Sequence, residues 1–214
     1  MTPLRLQVWS DYLCPWCYNA SVRLQKLEQE LGPALELEWR AFLLRPTPRP
    51  AGGDADEALR RFVQYTQSWL RPAAEPDAGS FRVWETSEGP PSHSVPAHAA
   101  AKAARALGPD AFRALHPRLL HAYFAENRDI SAPAVLEAVW REAGLPAEAF
   151  VRAFDPALAR EVMAEHAEAL ELGVTGVPAA QLAGMDGALV GALPLETYRR
   201  WIRRHLPEGA GVAG

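Results

Sequence analysis

The 214-residue sequence predicts an α/β fold in which an N-terminal strand–helix–strand unit and a C-terminal hairpin and helix bracket a long helical segment. Three observations predict it. Period-two alternation at Leu4, Leu6 and Val8, and again at Leu35, Leu37 and Trp39, flanks a helical pattern. A proline- and glycine-rich stretch over 45–53 then breaks the chain, and helical patterns fill most of the distance to Gly173, after which strand-like segments return.

In the first strand, Leu4, Leu6 and Val8 share one face and Arg5 and Gln7 the other, before Trp9 and Ser10. The chain runs through Asp11-Tyr12-Leu13 to Cys14, an N-cap position, because Pro15 then falls in the first helical turn, where proline is best tolerated. Cys17, Ala20, Leu24, Leu27 and Leu31 recur at intervals of three and four, and Gly32-Pro33 stops the helix. The second strand alternates Leu35, Leu37 and Trp39 with Glu36, Glu38 and Arg40, giving it one wet face. Short joints predict a right-handed parallel unit with the cysteines at the carboxyl end of the first strand, where open α/β sheets place their chemistry.

Beyond the connector, patterns predict helices over 54–70, 96–107, 110–126, 132–143 and 147–154, with turn clusters at 71–80 and 86–96. Asp155 caps a further helix over 156–172, closed by Gly173. Weak strands at 179–183 and 188–190 flank Gly184-Met185-Asp186-Gly187 as a hairpin, 194–206 reads as a helix and 207–214 as a disordered tail. The predicted units are therefore 1–45 with 174–206, and a helical insertion over 46–173 whose connecting helix is 156–172.

A net charge of −4 and a pI near 5.9 argue against a surface built for nucleic acid. Arg199, Arg200, Arg203, Arg204 and His205 cluster on the last helix, where cations complement the helix dipole and form a solvated face. No stretch approaches the roughly twenty apolar residues that cross a bilayer. Met1 to Leu6 lack the basic and apolar regions of an export signal, which predicts a cytoplasmic protein with no membrane association.

The only two cysteines form Cys14-Pro15-Trp16-Cys17. A chain of this size does not need a staple, so the spacing points to thiol–disulfide chemistry or to half of a metal site. Zinc would need further ligands from His93, His98, His116, His121, His166 and His205, and none of these stands at ligand spacing, so each reads as a surface or locally hydrogen-bonded histidine. Two cysteines merely filling a core is the remaining reading, and an N-cap before proline is a poor core position. Unpaired amides at a helix N-terminus favour the thiolate of Cys14, by on the order of 1 kcal/mol. Cys14 is then the exposed nucleophile, and Cys17, one turn further in, resolves a mixed disulfide on it. Asp11, three residues ahead, is a polar residue at a strand end or a buried acid assisting proton transfer.

Trp9-Ser10-Asp11 running into Cys14-Pro15-Trp16-Cys17-Tyr18, with Gly176-Val177-Pro178 far downstream, resembles the DsbA-type thioredoxin-fold oxidoreductase family, in particular its FrnE-like branch. The resemblance covers nearly the whole chain. It implies a thioredoxin fold with a helical domain inserted between the second strand and the cis-proline strand. It further implies a cis Val177-Pro178 bond beside the redox pair, presenting backbone groups to a bound peptide or thiol. Ala179-Ala180 and Gly191-Ala192-Leu193-Pro194 depart from the aromatic residues and the Gly-Ala-Gln-Pro step that the branch often carries.

The reading that follows is a thiol:disulfide oxidoreductase that reduces, forms or isomerises disulfides through Cys14 and Cys17, with Pro178 completing the site. Pro15, Trp16, Val177 and Asp11 are expected to tune it or meet substrate. No cofactor or metal is expected to be bound; a disulfide-containing protein, glutathione or another thiol is the expected partner. Trp16 supplies no charge to hold the thiolate, so the expected potential is roughly −200 to −270 mV rather than the −120 mV of a strong oxidant. Two alternatives remain: a glutathione-dependent isomerase or transferase akin to 2-hydroxychromene-2-carboxylate isomerase, whose relatives typically carry serine at the first thiol, and a redox-switched peptide-binding chaperone or sensor.

Overall fold

The computed structural model describes residues 2–50 and 54–206. β1 (Leu4–Ser10), α1 (Pro15–Leu31) and β2 (Leu35–Ala41) form the parallel unit that the alternation predicts, with Leu6 opposite Leu37 and Val8 opposite Trp39. β3 (Ala179–Leu182) pairs antiparallel with the other side of β1, and β4 (Leu189–Val190) pairs antiparallel with β3, so the sheet order is β2-β1-β3-β4.

The central position of β1 explains its burial on both faces. Leu6 and Val8 pack with Trp39, Ala180 and Leu182 against Leu24 and Leu27 of α1 and against Tyr198 and Ile202 of α8 (Leu195–Arg203). On the other face Trp9 packs with Phe42, Val174, Ala179 and Ala169, the last from α7 (Pro156–Glu171). Each fully buried leucine here contributes roughly 1.5–3 kcal/mol of burial.

Between β2 and β3 the chain is helical. α2 (Ala55–Thr66) continues through a 3₁₀ turn at 67–69 into α3 (Leu70–Ala73), then come α4 (Val95–Arg105), α5 (Pro109–Phe124), α6 (Pro133–Glu142), a 3₁₀ stretch Ala147–Phe154, and α7. Phe62, Trp69, Trp84, Tyr123 and Phe124 form its aromatic core, with edge-on contacts such as Trp69–Phe124 at 4.8 Å and Phe62–Trp84 at 5.0 Å. Tyr12 and Tyr18, which flank the cysteine turn, are buried in this same core. The turn is thereby held between the sheet and the helices.

Two expectations need correction. The Glu36–Glu38–Arg40 face of β2 is not uniformly wet: α7 crosses it, and the Arg40 side chain, 16% exposed, pairs with Glu38 at 2.9 Å, Glu165 at 3.4 Å and Glu168. The stretch 147–154 is 3₁₀ rather than α-helical. Other boundaries move by a few residues, as at α8, which ends at Arg203 rather than 206. On α8, Arg199 and Arg203 pair with Glu30 of α1 at 2.9 and 2.6 Å, so they staple two helices. The tail expected at 207–214 lies outside the described residues.

Candidate active site

Cys14 is the N-cap of α1 in an extended conformation, with Pro15 next, as the sequence predicts. Its carbonyl accepts from the amides of Cys17 at 3.0 Å and Tyr18 at 3.4 Å, and its own amide donates to Asp11 O at 3.1 Å. The Val177-Pro178 peptide is cis, and the Cys14 thiol donates to Val177 O at 3.5 Å. Two motifs 163 positions apart thus meet at one sulfur. This contact also corrects the expected exposure: Cys14 is 5% exposed and Cys17 fully buried, because the 176–178 loop lies against the first thiol. Trp16, 36% exposed, is the outward-facing residue of the turn.

Both cysteines are free thiols, and their environments push them in opposite directions. The Cys14 thiol is held below its ordinary range, chiefly by a hydrogen bond from the Cys17 side chain and further by the amides of Cys17 and Trp16, against burial and the Asp11 charge. The expectation that the helix alone supplies most of this is therefore revised: the second thiol is the larger contributor. Burial pushes the Cys17 thiol well up, and its donation to Cys14 adds to that. Its sulfur accepts from the Asp11 amide at 3.5 Å, and the Ser10 hydroxyl also favours its ionised form.

Asp11 is fully buried immediately after β1. One carboxylate oxygen accepts from Leu13 N at 2.8 Å, the other from Leu44 N at 2.5 Å and Ser94 Oγ at 2.7 Å. All three donors favour the charged form, yet burial outweighs them and raises its pKa to about 6. Asp11 therefore ties together the cysteine turn, the chain leaving β2 and the residue that opens α4.

A DSBA-like thioredoxin domain matches residues 5–203, almost the whole chain. The chain belongs to the DSBA-like thioredoxin domain family. Among solved structures it is similar to a probable DsbA oxidoreductase from Streptomyces coelicolor, at 25% identity and a TM-score of 0.73, covering 94% of this chain and 89% of that one. It is also similar in fold to the cytosolic disulfide reductase DsbM from Pseudomonas aeruginosa with GSH, at 24% identity and a TM-score of 0.72, covering 94% and 98%. Among curated proteins, the uncharacterized protein YwbO of Bacillus subtilis is 31% identical over 72 residues, so the match spans 34% of each chain. No helix among the described residues is long and apolar enough to cross a membrane.

In this DSBA-like protein two of the histidines depart from expectation, while His93 and His205 keep local hydrogen bonds, to Ser92 and to the Trp201 carbonyl. His98 and His116 are buried, and burial lowers the pKa of each to about 3. The Tyr12 hydroxyl pairs with His116 Nδ1 at 2.8 Å and the Ser21 hydroxyl with His116 Nε2 at 2.9 Å. Among the described residues no group of three or more His, Cys, Asp or Glu is placed to hold a metal ion. Residues that the motif reading missed are Leu44 and Ser94, the two partners that hold the second carboxylate oxygen of Asp11. Of these two, Ser94 left a trace, as a hydroxyl residue just ahead of Val95-Pro96 at a helix start.

Proposed function

We propose that this protein is a thiol:disulfide oxidoreductase in which Cys14 is the nucleophile and Cys17 the resolving thiol. The observation that carries the reading is the asymmetry of the pair: one sulfur favours its thiolate, and the other, deeper one keeps its proton. Cys14 Sγ⁻ attacks a substrate disulfide, one substrate sulfur leaves as thiolate, and the other is held in a mixed disulfide. Cys17 Sγ then attacks Cys14 Sγ, the internal disulfide forms, and the second substrate sulfur is released.

Substrate approaches over Trp16, beside the cis Val177-Pro178 peptide, whose Val177 carbonyl already faces the nucleophile. The half-exposed Tyr65, near enough to Cys14 to feel its charge, adds apolar area suited to a peptide or to the aliphatic part of a small thiol. Asp11 serves as a tuning group: its charge works against the Cys14 thiolate, and its oxygens are committed to three donors. We place the potential at roughly −200 to −270 mV, since no cationic side chain is among the groups that favour the thiolate. A cytosolic setting, as named for the Pseudomonas reductase, belongs to the same proposal.

The test is insulin reduction and refolding of a scrambled disulfide protein by wild type, Cys14→Ser and Cys17→Ser. Activity lost in Cys14→Ser, with a covalent adduct trapped in Cys17→Ser, is the expected pattern. Full activity of Cys14→Ser toward a glutathione-linked small molecule would transfer the assignment to the isomerase or transferase chemistry.

A further inference from the structure

Further along the helix that Cys14 opens stands a charge that the exchange chemistry does not use. Arg23 of α1 is 1% exposed, and a guanidinium is buried so completely only where its donors are committed. Its Nη1 donates to Ala192 O at 2.7 Å and to Leu193 O at 3.0 Å, and its Nη2 donates to Pro76 O at 2.7 Å, with Glu75 at 3.5 Å. Asn19 and Lys26, on the same side of the helix, bind the same loop of the helical insertion, through Pro72 O at 2.9 Å and Asp77 at 2.7 Å. Among the described residues, Arg23 alone of the three also bonds the chain that follows β4.

That chain is tied in turn to the cis-proline loop. The Gly191 amide donates to Pro178 O at 2.7 Å, and the Gly191 carbonyl accepts from the Tyr198 hydroxyl of α8 at 2.9 Å. Gly191 has a φ of 99°, a conformation in which a side chain would be strained, and it lets the amide and the carbonyl reach these separate partners. Pro178 follows Val177, whose carbonyl accepts from the Cys14 thiol at 3.5 Å. Arg23 thus reaches the nucleophile through a short series of bonds, from 192 and 193 by way of Gly191 and Pro178 to Val177.

Building on the exchange reading above, we propose that Arg23 is a positioning residue: by clasping 192 and 193 it fixes the cis-proline loop at the distance from Cys14 at which a substrate disulfide is met. Lysine cannot take its place, because one ammonium does not span carbonyls on two separate segments as the planar fork does. With the clasp lost, the loop moves off the thiol, and two effects of opposite sign follow. A substrate disulfide, which needs loop and sulfur together, is attacked more slowly. The Cys14 thiol, released from a bond that favours its protonated form, ionises more readily.

The test compares wild type with Arg23→Lys and with Tyr198→Phe, which removes the partner of the Gly191 carbonyl and keeps the ring. Reduced protein is mixed with a synthetic peptide closed by one disulfide and its consumption is followed by acid quench and intact mass; Cys14 alkylation by iodoacetamide is measured against pH. Expected in both variants are reaction with the peptide slowed about tenfold, and alkylation about twofold faster on the acid side of its midpoint but unchanged on the plateau. A residue that only stabilised the fold would move neither rate in the folded protein. Rates equal to wild type in both reactions, or changed in the same direction, overturn the proposal. If neither variant folds, hydrogen exchange in wild type decides: a protected Gly191 amide upholds the clasp and an unprotected one refutes it. If wild type leaves the peptide unattacked, the exchange reading itself has failed; the clasp is then judged by the alkylation profiles, and superimposable curves refute it.

Discussion

Replacing Cys17 with alanine should weaken Cys14 as a nucleophile even though Cys14 itself is untouched. The Cys17 side chain is the largest single contributor holding the Cys14 thiol below its ordinary range, ahead of the amides of Cys17 and Trp16. A hydrogen bond to a charged acceptor is worth about 1.5–3 kcal/mol, and S–H is a weak donor, which puts this one near the lower end. At 1.36 kcal/mol per factor of ten, the thiolate fraction below the titration midpoint falls roughly tenfold in Cys17→Ala. Cys17→Ser keeps an O–H donor at the same place and should lose much less. The assay is the iodoacetamide alkylation rate of Cys14 against pH, checked by thiolate absorbance at 240 nm. A pH profile in Cys17→Ala superimposable on wild type would refute the assignment and return the thiolate's stability to the helix N-terminus alone.

Further outcomes follow from the buried groups. Asp11 titrates near 6 when folded and near 3.8 when unfolded, so its contribution to stability is full below pH 3.8 and is lost as pH rises through 6. Asp11→Asn should remove this fall, about 3 kcal/mol between pH 4 and 7, as read from urea denaturation at each pH. The histidines run the other way. His98 and His116 titrate near 3 when folded against 6.5 unfolded, so stability is present above pH 6.5 and lost as pH falls toward 3. His116→Asn should flatten that acid limb by on the order of 4 kcal/mol, and an unchanged acid midpoint would contradict it. A Cβ on Gly79 would sit 2.5 Å from the ring of Tyr18, whose position next to Cys17 fixes it. Gly79→Ala should therefore cost about 1–3 kcal/mol of thermal stability, with the first turn of α1 disturbed.

The parallel unit and the nucleophile's place are legible in the types and spacing of the residues alone. Alternation at Leu4–Val8 and Leu35–Trp39 gives the strands, and proline after Cys14 gives the start of α1, because period and φ restriction are local properties. Gly176-Val177-Pro178 was legible only through family resemblance, since nothing local ties it to Cys14 across 163 positions. What stayed hidden is tertiary. Leu44 serves Asp11 through its backbone amide, which every non-proline residue possesses, and so carries no mark in the sequence. The burial of His98 arises where α4 faces the Tyr12 ring, 4.8 Å away, with Phe112 and His116 of α5 and Glu165 of α7 around it, and the alanine-rich sequence of α4 blurs the face it belongs to.

The most direct measurement of the central claim is the intact mass of Cys17→Ser after exposure to a disulfide substrate. With Cys14 as nucleophile and the resolving sulfur gone, the variant should accumulate one mixed disulfide, mapped by peptide digestion to Cys14 and reversed by dithiothreitol. Cys14→Ser should form none. No adduct on Cys17→Ser under conditions where wild type cycles between dithiol and disulfide, or an equal adduct on Cys17 in Cys14→Ser, would contradict the assignment of roles to the two thiols.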